Sequence, residues 1–127
     1  MTPLALLEDA RVEAPQQEPE PAEHLHGGRD WALDVALEAE LNGEVVSRPN
    51  ARGLYWTGPQ LVAHLTSNGT PLRPGDLLAT GTISEGGPGC LMELGGGFLA
   101  DGDEVVLRGR AGDVELGEVR GRVLEAR

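Results

Sequence analysis

Trp31-Ala32-Leu33-Asp34-Val35-Ala36-Leu37-Glu38-Ala39-Glu40-Leu41-Asn42-Gly43-Glu44-Val45-Val46 is the stretch that decides the fold class. Trp31, Leu33, Val35, Leu37, Ala39 and Leu41 alternate with Ala32, Asp34, Ala36, Glu38 and Glu40. A period of two places each set on one face of an extended chain, so residues 31–41 read as one long strand with one buried face. Asn42-Gly43 then supplies the positive φ angles of a two-residue hairpin turn, and Val45-Val46 opens the return strand.

Downstream, Thr57 is placed to cap a helix with Pro59 in its first turn and an apolar stripe of Leu61, Val62 and Leu65. Asn68-Gly69 is the expected stop, because both residues tolerate the left-handed conformation. Further strands are expected at residues 76–82, after the Arg73-Pro74-Gly75 turn, and at 91–94, 104–110 and 114–124, the last two joined through Ala111-Gly112-Asp113. Strands dominate and one helix is clear, which is an α+β, β-rich class. Upstream, residues 8–30 are polar and acidic and carry Pro15, Pro19 and Pro21. Proline donates no ladder hydrogen bond and pushes its predecessor to extended geometry, so this lead is expected to wander over the surface. The whole, 1–127, reads as one domain: an extended acidic lead over 1–30 and a β-rich body over 31–127.

A formal net charge of -11 opposes nucleic-acid binding, which needs Lys and Arg against phosphate. All ten basic residues are Arg, and Lys is absent. One cysteine, Cys90, forms no internal disulfide, and the Leu4–Leu7 run is too short for a signal peptide. No stretch approaches the roughly 20 apolar residues of a membrane span. A cytoplasmic protein with no membrane partner is expected. Nineteen Gly and an aromatic content of 3% leave little bulk for an independent core.

Among residues that could carry chemistry, Glu93 sits between Leu91, Met92 and Leu94. A carboxylate pressed against apolar neighbours has a raised pKa and can serve as a base or hold a water, whereas one on the outer face of a strand is only a solvated side chain. Thr82, in Gly81-Thr82-Ile83-Ser84, reads either as an ordinary strand-end residue or as a ligand contact, since its flanking glycine admits close approach. Ser84 has no base beside it in sequence to make it a nucleophile. Gly86-Gly87-Pro88-Gly89 matches no phosphate-loop pattern and reads as a flexible connector. Asp101-Gly102-Asp103-Glu104 lacks calcium-loop spacing and reads as a tight turn into the Val105 strand. Glu38 and Glu40 share a strand face, as a chelating pair would, but a solvated face is the simpler reading. His24, His26 and His64 lack the convergent partners of a zinc site, and Cys90 has no basic neighbour in sequence to activate its thiol.

Tyr55-Trp56-Thr57, Leu72-Arg73-Pro74-Gly75-Asp76-Leu77-Leu78, Gly81-Thr82-Ile83-Ser84 and Asp101-Gly102-Asp103-Glu104-Val105 occur in that order. This succession resembles the carboxy-terminal part of the fumarylacetoacetase family over roughly residues 4–124, with its mixed β-roll or sandwich fold. The resemblance implies hydrolysis of a carbon–carbon bond in a β-diketone, fumarylacetoacetate to fumarate and acetoacetate, in tyrosine and phenylalanine breakdown. It implies Thr82 as a substrate contact and Glu93 as the carboxylate that holds the attacking water together with a histidine. It also implies a divalent ion, Mg²⁺ or Ca²⁺, in the complete enzyme, with its ligands and the catalytic His and Lys upstream of this segment. No metal ligand is expected from this chain alone. The connector to Glu93 is shortened, Glu85 stands where the family continues with Gly-Pro, and Gly95-Gly96-Gly97 replaces a Trp-containing loop. The expectation is therefore a catalytically incomplete carboxy-terminal segment, a truncated or split form, binding a small diketo acid and associating with a missing amino-terminal half or with itself. The alternatives are a non-catalytic assembly module that keeps the fold, and a metalloenzyme of another class built on Glu38, Glu40 and the histidines.

Overall fold

A computed structural model of the protein describes residues 2–27 and 31–126; residues 28–30 of the expected lead lie outside them. Among the described residues, two antiparallel sheets form. The smaller pairs β1 (Arg11–Glu13) with β2 (Trp31–Leu33). The larger has four strands, β3 (Ala36–Leu41), β4 (Glu44–Ser47), β5 (Glu104–Ala111) and β6 (Val114–Arg122), in the order β4-β3-β5-β6. The helix α1 spans Gly58–Thr66. The architecture is α+β and β-rich, as the sequence pattern implies.

The long strand expected over 31–41 is broken at Asp34-Val35, so β2 and β3 belong to different sheets. Two contacts make the break, one of them from far along the chain. Asp34 accepts from Asn50 Nδ2 at 2.6 Å, and the Val35 amide turns back onto the Leu33 carbonyl at 3.1 Å. The inward face changes parity across it: Ala32 is buried before the break and Val35 after it, three positions apart. The hairpin is as expected. Asn42 and Gly43 both hold positive φ, 53° and 87°, and Leu41 pairs with Glu44. Asn42 also fastens β5: its Nδ2 donates to Asp103 Oδ1 at 2.8 Å, and its Oδ1 accepts the Glu104 amide at 2.9 Å. That bond and the Ala100 amide hold the Asp103 carboxyl below its ordinary pKa.

The lead differs from a wandering segment. Leu4–Ala10 forms a 3-10 helix whose Leu7 enters the core with Val35 and Ala111, and β1 joins a sheet with the Arg11 guanidinium 4.3 Å over the Trp31 ring. Further on, Gln17 locks onto α1. Gln60 is 1% exposed, and its amide exchanges hydrogen bonds with Gln17 (2.9 and 2.8 Å) and donates to the Leu25 carbonyl at 3.0 Å. The same Gln60 completes a capping box with Thr57, so one side chain starts the helix and straps the lead to it. Leu65, expected in the buried stripe, is 45% exposed.

Strands expected at 76–82 and 91–94 do not form: described residues 67–103 contain neither helix nor strand. The apolar runs around Leu77-Leu78 and Leu91-Met92 suggest strands, but a strand needs a neighbour to receive its amides, and among the described residues no strand pairs with this segment. Leu77 is 97% exposed and Phe98 95% exposed. Strands β5 and β6 form where expected. Among the described residues, no helix is long and apolar enough to cross a membrane.

Candidate functional site

The Gly-rich stretch after Ser84 is not a free connector but a closed loop organised by one carboxylate. Glu93 Oε2 accepts three hydrogen bonds: from the Gly89 amide at 2.7 Å, from Ser84 Oγ at 2.8 Å and from the Cys90 amide at 3.3 Å. The turn is closed further by the Glu93 amide on the Cys90 carbonyl at 3.1 Å. Gly89 makes the closure possible. A methyl there would run into the Ile83 carbonyl and come within 2.7 Å of Ser84 Oγ. The loop is fastened to the sheet by Ser47 Oγ donating to the Pro88 carbonyl at 2.5 Å and by Arg52 Nε against Glu85 Oε1 at 3.4 Å.

This corrects the sequence expectation for Glu93, which lies on a turn rather than a strand. Its carboxyl is exposed and held below the ordinary range, first by the Gly89 amide and then by the Ser84 hydroxyl, with Cys90 adding further bonds through its amide and thiol. A carboxylate that stays ionised only accepts hydrogen bonds, which suits holding a water better than removing its proton outright. Oε2 is filled by the Gly89 and Cys90 amides and the Ser84 hydroxyl, and Oε1 takes no amide or hydroxyl bond among the described residues. Ser84, a weak nucleophile candidate, is instead a donor that sets this carboxylate. Sequence reading missed the Gly89 and Cys90 amides; the Gly-rich spacing between Ser84 and Glu93 is the signal that could have found them.

Thr82 is exposed and lines a cleft of about 470 Å³ between the loop and the sheet, opposite Leu37, Ala39 and Leu107, with Gly89 and Cys90 as neighbours on the wall. Thr82 and Glu93 thus meet through Gly89 and Cys90: the residues whose amides bind Glu93 are the ones beside Thr82. Glu93 reaches the cleft through them rather than as part of its wall.

The other candidates lie apart from this loop or are already engaged. Glu38 and Glu40 face Arg108, whose Nη1 reaches Glu40 at 2.6 Å and Glu38 at 3.4 Å while its Nε holds Glu118 at 2.9 Å; Arg48 takes the other side of Glu38 at 3.2 Å. The solvated face is an ion-pair ladder, and Glu40 holds the Arg108 pKa up. His24 and His64 stack with centroids 6.1 Å apart, and His26 bonds the Pro21 carbonyl at 2.9 Å. Asp101–Glu104 is the expected tight turn, closed by Ala100 N on Asp103 Oδ2 at 2.7 Å. Among the described residues, no three His, Cys, Asp or Glu side chains converge as metal ligands, so the described residues do not fit the divalent ion that the resemblance implies.

Residues 7–124 match the sequence model described as fumarylacetoacetate (FAA) hydrolase C-terminal. The fumarylacetoacetase of Oryza sativa subsp. japonica is 42% identical over 90% of this chain and 33% of its own length. The fumarylacetoacetase of Bos taurus is 37% identical, and that of Homo sapiens 36%, each over 99% of this chain and 36% of its own length. The chain spans about a third of the length of these curated relatives. With that match covering nearly every residue, the chain belongs to the fumarylacetoacetate hydrolase C-terminal family.

Proposed function

We propose that this chain supplies the water-holding and substrate-binding loop of a carbon–carbon bond hydrolase acting on fumarylacetoacetate or a closely related β-diketo acid. One observation carries the reading: Glu93 is held ionised and anchored by three hydrogen bonds at Oε2, beside a cleft that Thr82 lines. A water on Oε1 would be oriented to add to the carbonyl carbon, passing a proton to a base in the further part of the enzyme. The adjoining carbon–carbon bond then breaks, its electron pair leaves on the acetoacetate carbon as an enolate, and that carbon takes up a proton, giving fumarate and acetoacetate. Thr82 would hold the substrate through its hydroxyl.

Charge develops on the carbonyl oxygen and on the enolate, and such charge needs a positive field. None of the described residues provides one at the cleft. Arg108, the guanidinium on its wall, is claimed by Glu38, Glu40 and Glu118, and Lys is absent. The field, including Mg²⁺ or Ca²⁺, would come from a further part of the enzyme. Exposed Leu77, Met92 and Phe98, with an apolar hollow of about 500 Å³ framed by Trp31, Trp56, Leu61 and Leu78, support a covering surface supplied by upstream sequence or a second copy. A cytoplasmic setting accords with a single cysteine and a small-molecule substrate.

The test is loss of fumarylacetoacetate absorbance in the presence of Mg²⁺ or Ca²⁺, for this chain alone and joined to the upstream two-thirds of a relative. Turnover is expected only from the joined form and is expected to disappear with Glu93→Gln. Turnover indifferent to that change would remove Glu93 from the mechanism. A non-catalytic module is the second reading, favoured by the absence of a fitting ligand set among the described residues; an inactive joined form that still assembles would support it.

A further inference from the structure

Four of the ten arginines, Arg48, Arg52, Arg108 and Arg110, line one cleft of about 450 Å³ on the sheet. The strand register explains its shape. Arg108 and Arg110 stand two apart on one face of β5, opposite Glu38 and Ala36, and Ala36 is bridged on its other side by Asn50. Ala36 offers only a methyl at the centre, so the floor stays open between Arg110 and the 3-10 turn Ala51–Gly53 that carries Arg52.

Three carboxylates also line the cleft, Glu38, Glu85 and Glu115, but their pairs with Arg48, Arg52 and Arg110 are long: 3.2, 3.4 and 3.4 Å. Well-formed guanidinium–carboxylate bonds run at about 2.7–2.9 Å. Among the described residues, Arg48, Arg52 and Arg110 make hydrogen bonds through Nε alone, to Glu38, Glu85 and the Gly112 carbonyl. Their Nη groups carry four N–H donors each in fork geometry and make, among the described residues, only long ion-pair contacts, Arg52 Nη1 to Asp34 at 3.9 Å and Arg110 Nη2 to Asp113 at 3.7 Å, which an anion could outcompete. Arg108 is different: its Nε holds Glu118 and its Nη1 holds Glu40 and Glu38, and it serves as wall rather than ligand.

We propose that this cleft binds a compact anion with two or more acceptor oxygens, a phosphate or a small dicarboxylate, through Arg52, Arg110 and Arg48. The anion replaces Glu85 on Arg52. Glu85 follows Ser84, which donates to Glu93, and sits against Gly53, so its release frees the outer side of the Glu93 loop. Binding is independent of the hydrolase reading; only the consequence for the water-holding carboxylate rests on it.

The experiment is a ¹H–¹⁵N titration of this chain, following arginine Nε and backbone amides, with phosphate or succinate added against sodium chloride at matched ionic strength. A few exposed charge contacts correspond to affinity of about millimolar order. Saturable shifts are expected at Arg48, Arg52 and Arg110 Nε and at the amides of residues 84–90. They should fall at least about fivefold in apparent affinity in Arg52→Gln and in Arg110→Gln, and stay unchanged in Arg122→Gln, which lies outside the cleft. Glu85→Gln removes the competing carboxylate and should tighten binding severalfold, a gain that misfolding cannot imitate. Saturation by phosphate alone identifies an inorganic or phosphoryl ligand, and saturation by succinate alone a dicarboxylate. Non-saturating shifts equal to those with chloride, or weaker binding in Glu85→Gln, would overturn the proposal.

Discussion

Replacing Gln60 by Leu tests whether one buried amide holds the lead, the helix start and the 3-10 turn Glu23–Leu25 together. The substitution keeps the volume and removes both polar atoms. Four hydrogen bonds go: two with Gln17, one to the Leu25 carbonyl, and one from the Thr57 amide. Gln17 is half-buried and keeps its bond to the Tyr55 carbonyl at 2.5 Å, so it can turn to water at little cost. Two groups cannot: Thr57 is 3% exposed and Leu25 8%. An orphaned buried donor or acceptor costs roughly 1–3 kcal/mol, so with two of them the variant should lose about 2–6 kcal/mol. A domain of this size holds only about 5–15 kcal/mol in all, and each kcal/mol lowers Tm by about 3–5 °C. Urea unfolding gives the loss directly, and hydrogen exchange at the Thr57 amide shows where it arises. Gln17→Ala, which leaves Gln60 bonded to Leu25 and Thr57, should cost about 1 kcal/mol, and the two variants should be non-additive because they share a network. A loss in Gln60→Leu below about 0.5 kcal/mol, or strict additivity, would refute the strap.

The remaining tests concern the loop and the sheet. Gly89→Ala forces the Ile83–Ser84 backbone away, so the Glu93 carboxyl should climb back toward its ordinary pKa; carboxyl-carbon titration that shows it still depressed would contradict the anchoring described above. Because the folded pKa of Glu93 is depressed, its contribution to loop order is fully present above the unfolded carboxylate pKa and is lost as pH falls through the folded one. Protection of the Gly89 and Cys90 amides should therefore persist at neutral pH, vanish only on acidification below the usual carboxylate range, and lose that pH dependence in Glu93→Gln. Arg108→Met leaves Glu38, Glu40 and Glu118 facing one another, so it should destabilise more at pH 7 than at pH 4 and less in high salt; a pH-independent loss would point to packing instead. Gly43→Val places a β-branched residue at φ 87°, and denaturant unfolding should register a loss of more than about 1 kcal/mol.

Much of this protein is written in short-range pattern. Alternation and Asn42-Gly43 specify the hairpin, Thr57-Gly58-Pro59-Gln60 specifies the helix start, and Val105 onward specifies the last two strands, because each depends on neighbours within a few residues. Gly81-Thr82-Ile83-Ser84 and Glu93 could be picked out by their likeness to a family, but not given an environment. Tertiary structure decided the rest. The break at Asp34 depends on Asn50, 16 positions away, and the Gln60 strap on Gln17, 43 positions away. The failure of residues 76–82 to become a strand depends on which chain lies alongside, which no local propensity encodes. The Glu93 carboxyl is the sharpest case. Its apolar flanks Met92 and Leu94 suggest a raised pKa, yet the folded loop turns Gly89, Cys90 and Ser84 donors onto it and drives the pKa down. Sequence fixes which groups can ionise; only the fold sets which hydrogen bonds they receive, and hydrogen bonds to the charged form decide the direction of the shift.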